Sequence, residues 1–83
     1  MPSYMPAPVE KRSITIRGHR TSVSLEAPFW AALKEKAAAD GRSLSALIAD
    51  IDEGNDGNLS SALRVHVLEW LQARLVGQEA ISG

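Results

Sequence analysis

Residues 12–16 alternate, with Ile14 and Ile16 on one side and Ser13 and Thr15 on the other. Residues 21–25 alternate again, with Thr21, Val23 and Leu25 inward and Ser22 and Ser24 outward, the two-residue period of a half-buried strand. Apolar positions are even-numbered in the first run and odd-numbered in the second. One regular strand cannot change parity without turning over, so Gly18 marks a tight turn or a bulge. On the pattern alone, residues 12–16 either fold back as a hairpin or extend the ribbon as an arm.

After residue 27 the period lengthens. Phe29, Leu33 and Ala37 stand at i, i+4 and i+8, with Trp30, Ala31 and Ala32 beside them and Lys34, Glu35 and Lys36 on the wet side. This is an amphipathic helix, and Pro28 suits its first position, where a missing N–H costs nothing. Gly41 fits a left-handed cap at its end. Ser43 is an N-cap for a second helix carrying Leu44, Leu47, Ile48 and Ile51 at i, i+3, i+4 and i+7, so the two helices meet at a sharp corner. The run Glu53-Gly54-Asn55-Asp56-Gly57 breaks the pattern. Asn58 then caps the longest helix, which has Leu59, Leu63, His66, Val67, Trp70 and Leu71 along one side and ends near Gly77. A second strip, Val65, Leu68 and Leu75, widens its apolar surface beyond what one neighbouring helix covers, as a dimer interface requires.

Three of the four prolines fall before Val9, so residues 1–10 read as a flexible arm, 11–77 as one domain and 78–83 as a flexible tail. A chain of 83 residues buries only about 60% of its unfolded surface, which makes dimerisation a natural source of extra core. There is no cysteine, and only four aromatic residues (Tyr4, Phe29, Trp30, Trp70) stand among many Ala, Leu, Val and Ile. The expectation is a mostly helical, cytoplasmic protein without disulfides, with no membrane span and no secretory leader.

The net charge of -1 hides an asymmetry. Residues 1–42 carry seven Lys/Arg against four acids, and the remainder two against six. From Lys11 to Leu25 there are four cations (Lys11, Arg12, Arg17, Arg20), one histidine (His19) and no acid. A two-fold dimer doubles such a patch on one face, as a nucleic-acid binder requires; on charge alone the same stretch is equally a solvated edge strand.

The order of strand, Pro-started helix, Gly-x-Ser corner and Ser-capped helix resembles the ribbon-helix-helix DNA-binding family, the group of the Arc and methionine repressors. The residues that carry the likeness are Arg20-Thr21-Ser22-Val23-Ser24-Leu25, Pro28-Phe29-Trp30-Ala31-Ala32-Leu33 and Gly41-Arg42-Ser43-Leu44-Ser45-Ala46-Leu47-Ile48. Residues 20–48 match well and 49–76 loosely. The phrase Gly18-His19-Arg20-Thr21-Ser22-Val23-Ser24-Leu25-Glu26 is similar to one found in a bacterial subgroup of the fold.

The resemblance implies an intertwined homodimer, mostly α with a short N-terminal β-ribbon, whose two-fold ribbon enters the major groove of double-stranded DNA. It puts Arg20, Ser22 and Ser24 on the base-reading face, with the Arg fork suited to guanine O6 and N7. Lys11, Arg12, Arg17 and His19 are expected on phosphates, together with Ser43 at the start of the second helix, where free N–H groups and the helix dipole attract an anion. Ser43 serves equally as a plain helix cap, and His19 as a solvated turn residue. The expected dimer core is Val23, Leu25, Phe29, Leu33, Leu47, Ile48, Leu63, Val67 and Trp70, and dimers stacking into tetramers on DNA stay open.

The chain departs from the family pattern where its second helix stops after Asp52 and Asn58-Leu59-Ser60-Ser61 starts another; that second cap is a competing phosphate site. No cofactor or metal is expected: two isolated histidines lack ligand partners, and Asp50, Asp52, Glu53 and Asp56 lack a calcium loop with its closing glutamate. His66, on the apolar face of the last helix, reads as a core or interface histidine. The expected function is sequence-specific DNA binding by a transcriptional regulator of repressor type, without enzymatic activity. The rival is an antitoxin-type module whose acidic C-terminal half binds a basic protein; an enzyme finds no paired nucleophile and base.

Overall fold

The computed structural model describes residues 8–82, with side chains for residues 8–77. Strands β1 (Val9–Ile16) and β2 (His19–Glu26) form an antiparallel hairpin, followed by helices α1 (Ala27–Ala39), α2 (Leu44–Glu53) and α3 (Leu59–Ser82). The chain is therefore mostly helical with an N-terminal ribbon and one helix beyond a strand-helix-helix unit.

The hairpin settles the question of residues 12–16. Ile16 stands opposite His19, Ile14 opposite Thr21 and Arg12 opposite Val23, so even positions of β1 share a face with odd positions of β2. The parity change is the signature of a two-residue turn. Arg17 (φ 49) and Gly18 (φ 81) both adopt left-handed backbone, the combination that matches hairpin twist. Glycine does this freely, whereas Arg17 sits there at a cost of about 1–2 kcal/mol.

β1 starts at Val9, inside the expected arm. Two contacts hold that start: Ala27 N–H donates to the Pro8 carbonyl at 3.1 Å, and the Trp30 indole Nε1 donates to the Glu10 carbonyl at 2.9 Å. Residues 1–7 of the arm lie outside the described residues. α1 begins one residue earlier than expected, with Pro28 second. It ends as anticipated at Gly41 (φ 68), where Gly41 N–H donates to Ala38 and Arg42 N–H to Ala37, the paired bonds of a Schellman cap. Ser43 Oγ accepts from Ala46 N–H at 3.1 Å, and Asn58 Oδ1 accepts from Ser61 N–H at 3.2 Å, so both expected N-caps form. α3 continues through Gly77 to Ser82, because one glycine costs a helix only about 1 kcal/mol.

Under the ribbon, Ile14, Ile16, Val23 and Leu25 meet Trp30, Leu33 and Ala37 of α1, Leu47 and Ile48 of α2, and Leu63 and Val67 of α3. α2 packs beneath β1 and α3 beneath β2. Val23, Leu25, Leu33, Leu47, Ile48, Leu63 and Val67 are buried within one chain, while Phe29 and Trp70 are half-buried. No helix among the described residues is long and apolar enough to cross a membrane.

Candidate nucleic-acid interface

With one face of the hairpin sealed against the helices, strand alternation sends every other side chain to the opposite face. That outer face presents Lys11, Ser13 and Thr15 on β1 and Arg20, Ser22 and Ser24 on β2. They stand in direct cross-strand pairs: Lys11 with Ser24, Ser13 with Ser22, and Thr15 with Arg20. All are exposed except Ser24, which is half-buried. Ser13 and Thr15 were not among the residues singled out from the sequence, although the odd sum of paired positions across a two-residue turn brings them onto this face.

The ion pairs decide which cations remain available. Arg12 pairs with Glu10 at 2.7 Å and lies 5.1 Å from the Trp30 ring centroid, on the core-facing side of β1. Arg17, in the turn, pairs with Asp52 at 3.0 Å. Lys36 holds Asp40 at 2.7 Å, Arg42 holds Asp50 at 2.7 Å, Arg64 holds Glu26 at 2.9 Å and Arg74 meets Glu35 at 3.4 Å. Among the described residues Lys11, Arg20 and Lys34 have no such partner. Two of these three stand on the outer face of the ribbon. An overall acidic chain thus places two of these three cations among the hydroxyls of the ribbon, where the one acid that shares their parity, Glu26, is held by Arg64.

The remaining expected site residues lie around that face or away from it. His19 is exposed at the start of β2, beside the turn. Ser43 is exposed at the α1–α2 corner with its hydroxyl committed to the cap; the first N–H groups of the helix it caps, those of Leu44 and Ser45, have no partner within the helix.

Two carboxylates are held below their ordinary range. The Arg64 guanidinium bonds the Glu26 carboxylate and, with a backbone bond of Glu26 itself, favours the charged form. The Lys36 bond does the same for Asp40, helped by the charges of Lys36, Arg42 and His66. Between α2 and α3 lies an open groove of about 570 Å³, lined among others by Asp50, His66 and Glu69. The buried Nε2 of His66 has no hydrogen-bond partner. Among the described residues no three His, Asp or Glu side chains come together as a metal site.

The chain matches the family model for the ribbon-helix-helix domain over residues 9–71, which takes in both strands, α1, α2 and the first half of α3. A solved structure, that of an uncharacterized protein from Bordetella pertussis Tohama I, is similar with a TM-score of 0.75 and 35% sequence identity, covering 87% of this chain and 62% of that one. The chain therefore spans less than two thirds of that protein's length. Comparison with curated proteins gives no match. Ribbon, corner and caps agree with the family match, and the chain belongs to the ribbon-helix-helix domain family.

Proposed function

We propose that this chain is a cytoplasmic transcriptional repressor that binds double-stranded DNA as a two-fold homodimer, with the outer face of the ribbon in the major groove. The observation that carries the reading is the placement of Lys11 and Arg20, which have no ion pair among the described residues, beside Ser13, Thr15, Ser22 and Ser24 on the outer face of the ribbon. Arg20 has the reach and the planar fork for a guanine edge, and Ser22 and Ser24 supply short donors and acceptors to neighbouring bases. Lys11, with His19 beside the turn, supplies phosphate attraction, while Arg17 at the turn is held by Asp52, and the N-terminus of α2 at Ser43 offers N–H groups to one more phosphate. The reading assigns no catalytic role and no cofactor.

Two features support the dimer. β2 has β1 on one edge and no strand on the other among the described residues, and α3, which packs beneath β2, leaves Val65, Leu68, Leu71 and Leu75 exposed. A free strand edge and an apolar stripe on the helix below it are what a second copy covers at once.

The test is fluorescence anisotropy with a duplex from the DNA upstream of the chain's own coding sequence and with a scrambled duplex, at low and near-physiological salt. Salt-resistant preference for the upstream duplex, lost in Arg20→Ala by about 1–3 kcal/mol with the dimer intact, supports the reading. Equal, salt-labile binding of both duplexes contradicts specific recognition. The rival reading, a module for a basic protein partner, is favoured by Glu53, Asp56 and Glu69, which have no ion pair among the described residues. It predicts no duplex binding and a stoichiometric basic protein on purification.

A further inference from the structure

We propose that β1 is a phosphate-contacting rail, with Lys11, Ser13 and Thr15 on the DNA backbone flanking the bases read by Arg20, Ser22 and Ser24. The inference rests on the reading above, in which β2 pairs with the β2 of a second copy. It comes from the width of the resulting sheet.

β1 is paired to β2 along its whole length, from Val9 opposite Glu26 to Ile16 opposite His19. Joining two copies through β2 therefore makes a four-stranded sheet, with both β2 strands central and both β1 strands outside. Neighbouring strands lie about 4.8 Å apart, which puts each β2 about 2.4 Å from the two-fold axis and each β1 about 7 Å from it. The major groove is about 12 Å wide, so its walls stand about 6 Å from its midline. β2 then lies over the base edges, and β1 lies over the walls, where the phosphates are.

The side chains fit this division. Lys11 is a compact ammonium suited to phosphate as a point charge. Ser13 and Thr15 are short hydroxyl donors that reach a backbone oxygen because their strand lies over the groove wall. The long, planar Arg20 belongs to the central strand. The register sets each reader beside one rail residue: Arg20 beside Thr15, Ser22 beside Ser13, and Ser24 beside Lys11. The other geometry, a single hairpin entering the groove alone, brings both strands over the bases and makes Ser13 and Thr15 readers of sequence.

The two geometries separate in the Ser13→Ala/Thr15→Ala double variant and in Lys11→Gln, measured by anisotropy on the upstream and scrambled duplexes across a salt series. Both Ser13 and Thr15 are exposed, and circular dichroism checks that the fold is kept. The expected result for the double variant is an equal loss on both duplexes, about threefold to tenfold per hydrogen bond removed, with their affinity ratio unchanged. Lys11→Gln is expected to flatten the salt dependence by about 1.8 in log–log slope, one phosphate from each protomer. A changed affinity ratio in the double variant, or binding by a monomer, overturns the rail in favour of the single-hairpin geometry. Unchanged affinity in both variants, while the parent still discriminates the duplexes and depends on Arg20, overturns the rail alone. A parent that binds neither duplex overturns the DNA-binding reading together with it.

Discussion

The guanidinium of Arg17 bonds the carboxylate of Asp52 at 3.0 Å, tying the turn of the ribbon to the last turn of α2 across 35 residues of chain. The pair is surface-exposed, so it stabilises by at most about 1 kcal/mol. Its larger effect is electrostatic, since Asp52 neutralises the cation nearest the ribbon tip. Asp52→Asn is expected to lower stability by less than about 1 kcal/mol and to raise duplex affinity, with a salt dependence steeper by up to about 0.9 for each contact Arg17 gains. Urea unfolding and anisotropy across salt check both halves. Unaltered affinity would show that Arg17 faces away from the DNA.

Local chemistry was legible in the sequence; contacts between distant residues were not. The Gly41 cap, the Ser43 and Asn58 N-caps and the break at Glu53–Gly57 each depend on residues within five positions of one another, and all stand where the sequence put them. The parity change at Gly18 located the turn, yet Arg17 at its first central position is no Asn-Gly signal, and the ion pair that anchors it is formed by a residue far along the chain. The start of β1 at Val9 was hidden for the same reason, since it is held by the indole of Trp30. Arg12 reads as an exposed cation by type, but it shares the parity of Ile14 and Ile16 and lies against Trp30. Counting cations therefore overstated the free charge of residues 11–25, and only ion pairs formed in the fold show which of them remain.

Gly18 tests the hairpin itself. Its φ of +81° disfavours any L side chain, and a Cβ there would meet nothing within 4 Å, so the cost of substitution is purely that of the backbone. Gly18→Ala is expected to destabilise by about 1–2 kcal/mol, read as a lower melting midpoint with an unchanged far-ultraviolet spectrum. A neutral result would mean that residues 9–16 are not held as a hairpin in solution.

Acid titrates one contact that holds β2 to α3 and one at the end of α1. Glu26 has its pKa lowered chiefly by the Arg64 bond, and Asp40 chiefly by the Lys36 bond. A carboxylate with a lowered folded-state pKa adds stability that is present above its unfolded value and is lost as pH falls through the folded one. The parent is therefore expected to weaken as pH drops below the ordinary carboxylate range. Glu26→Gln should be less stable than the parent at neutral pH and converge with it in strong acid. A gap that persists in strong acid would assign the effect to packing around residue 26, not to its charge.

The apolar stripe of α3 decides the oligomeric state. Leu63 is fully buried within the chain, whereas Leu68, five residues on, is 54% exposed beside a cavity of about 240 Å³ lined by Phe29, Val67 and Leu71. The two positions separate folding from association. Leu63→Ala removes core and should cost about 2–5 kcal/mol of stability. Leu68→Glu leaves the core intact and places a carboxylate at the proposed two-fold seam. Losing the exposed half of two leucine side chains per dimer corresponds to roughly 2–3 kcal/mol of association, before the cost of desolvating the charge. Sedimentation equilibrium should then show a folded monomer where the parent is a dimer, and duplex affinity should fall with it, because each half-ribbon would bind alone. A Leu68→Glu variant that remains dimeric would move the interface off α3, leaving the free edge of β2 to hold the two copies unaided, which few strands of eight residues do without an apolar surface beneath them.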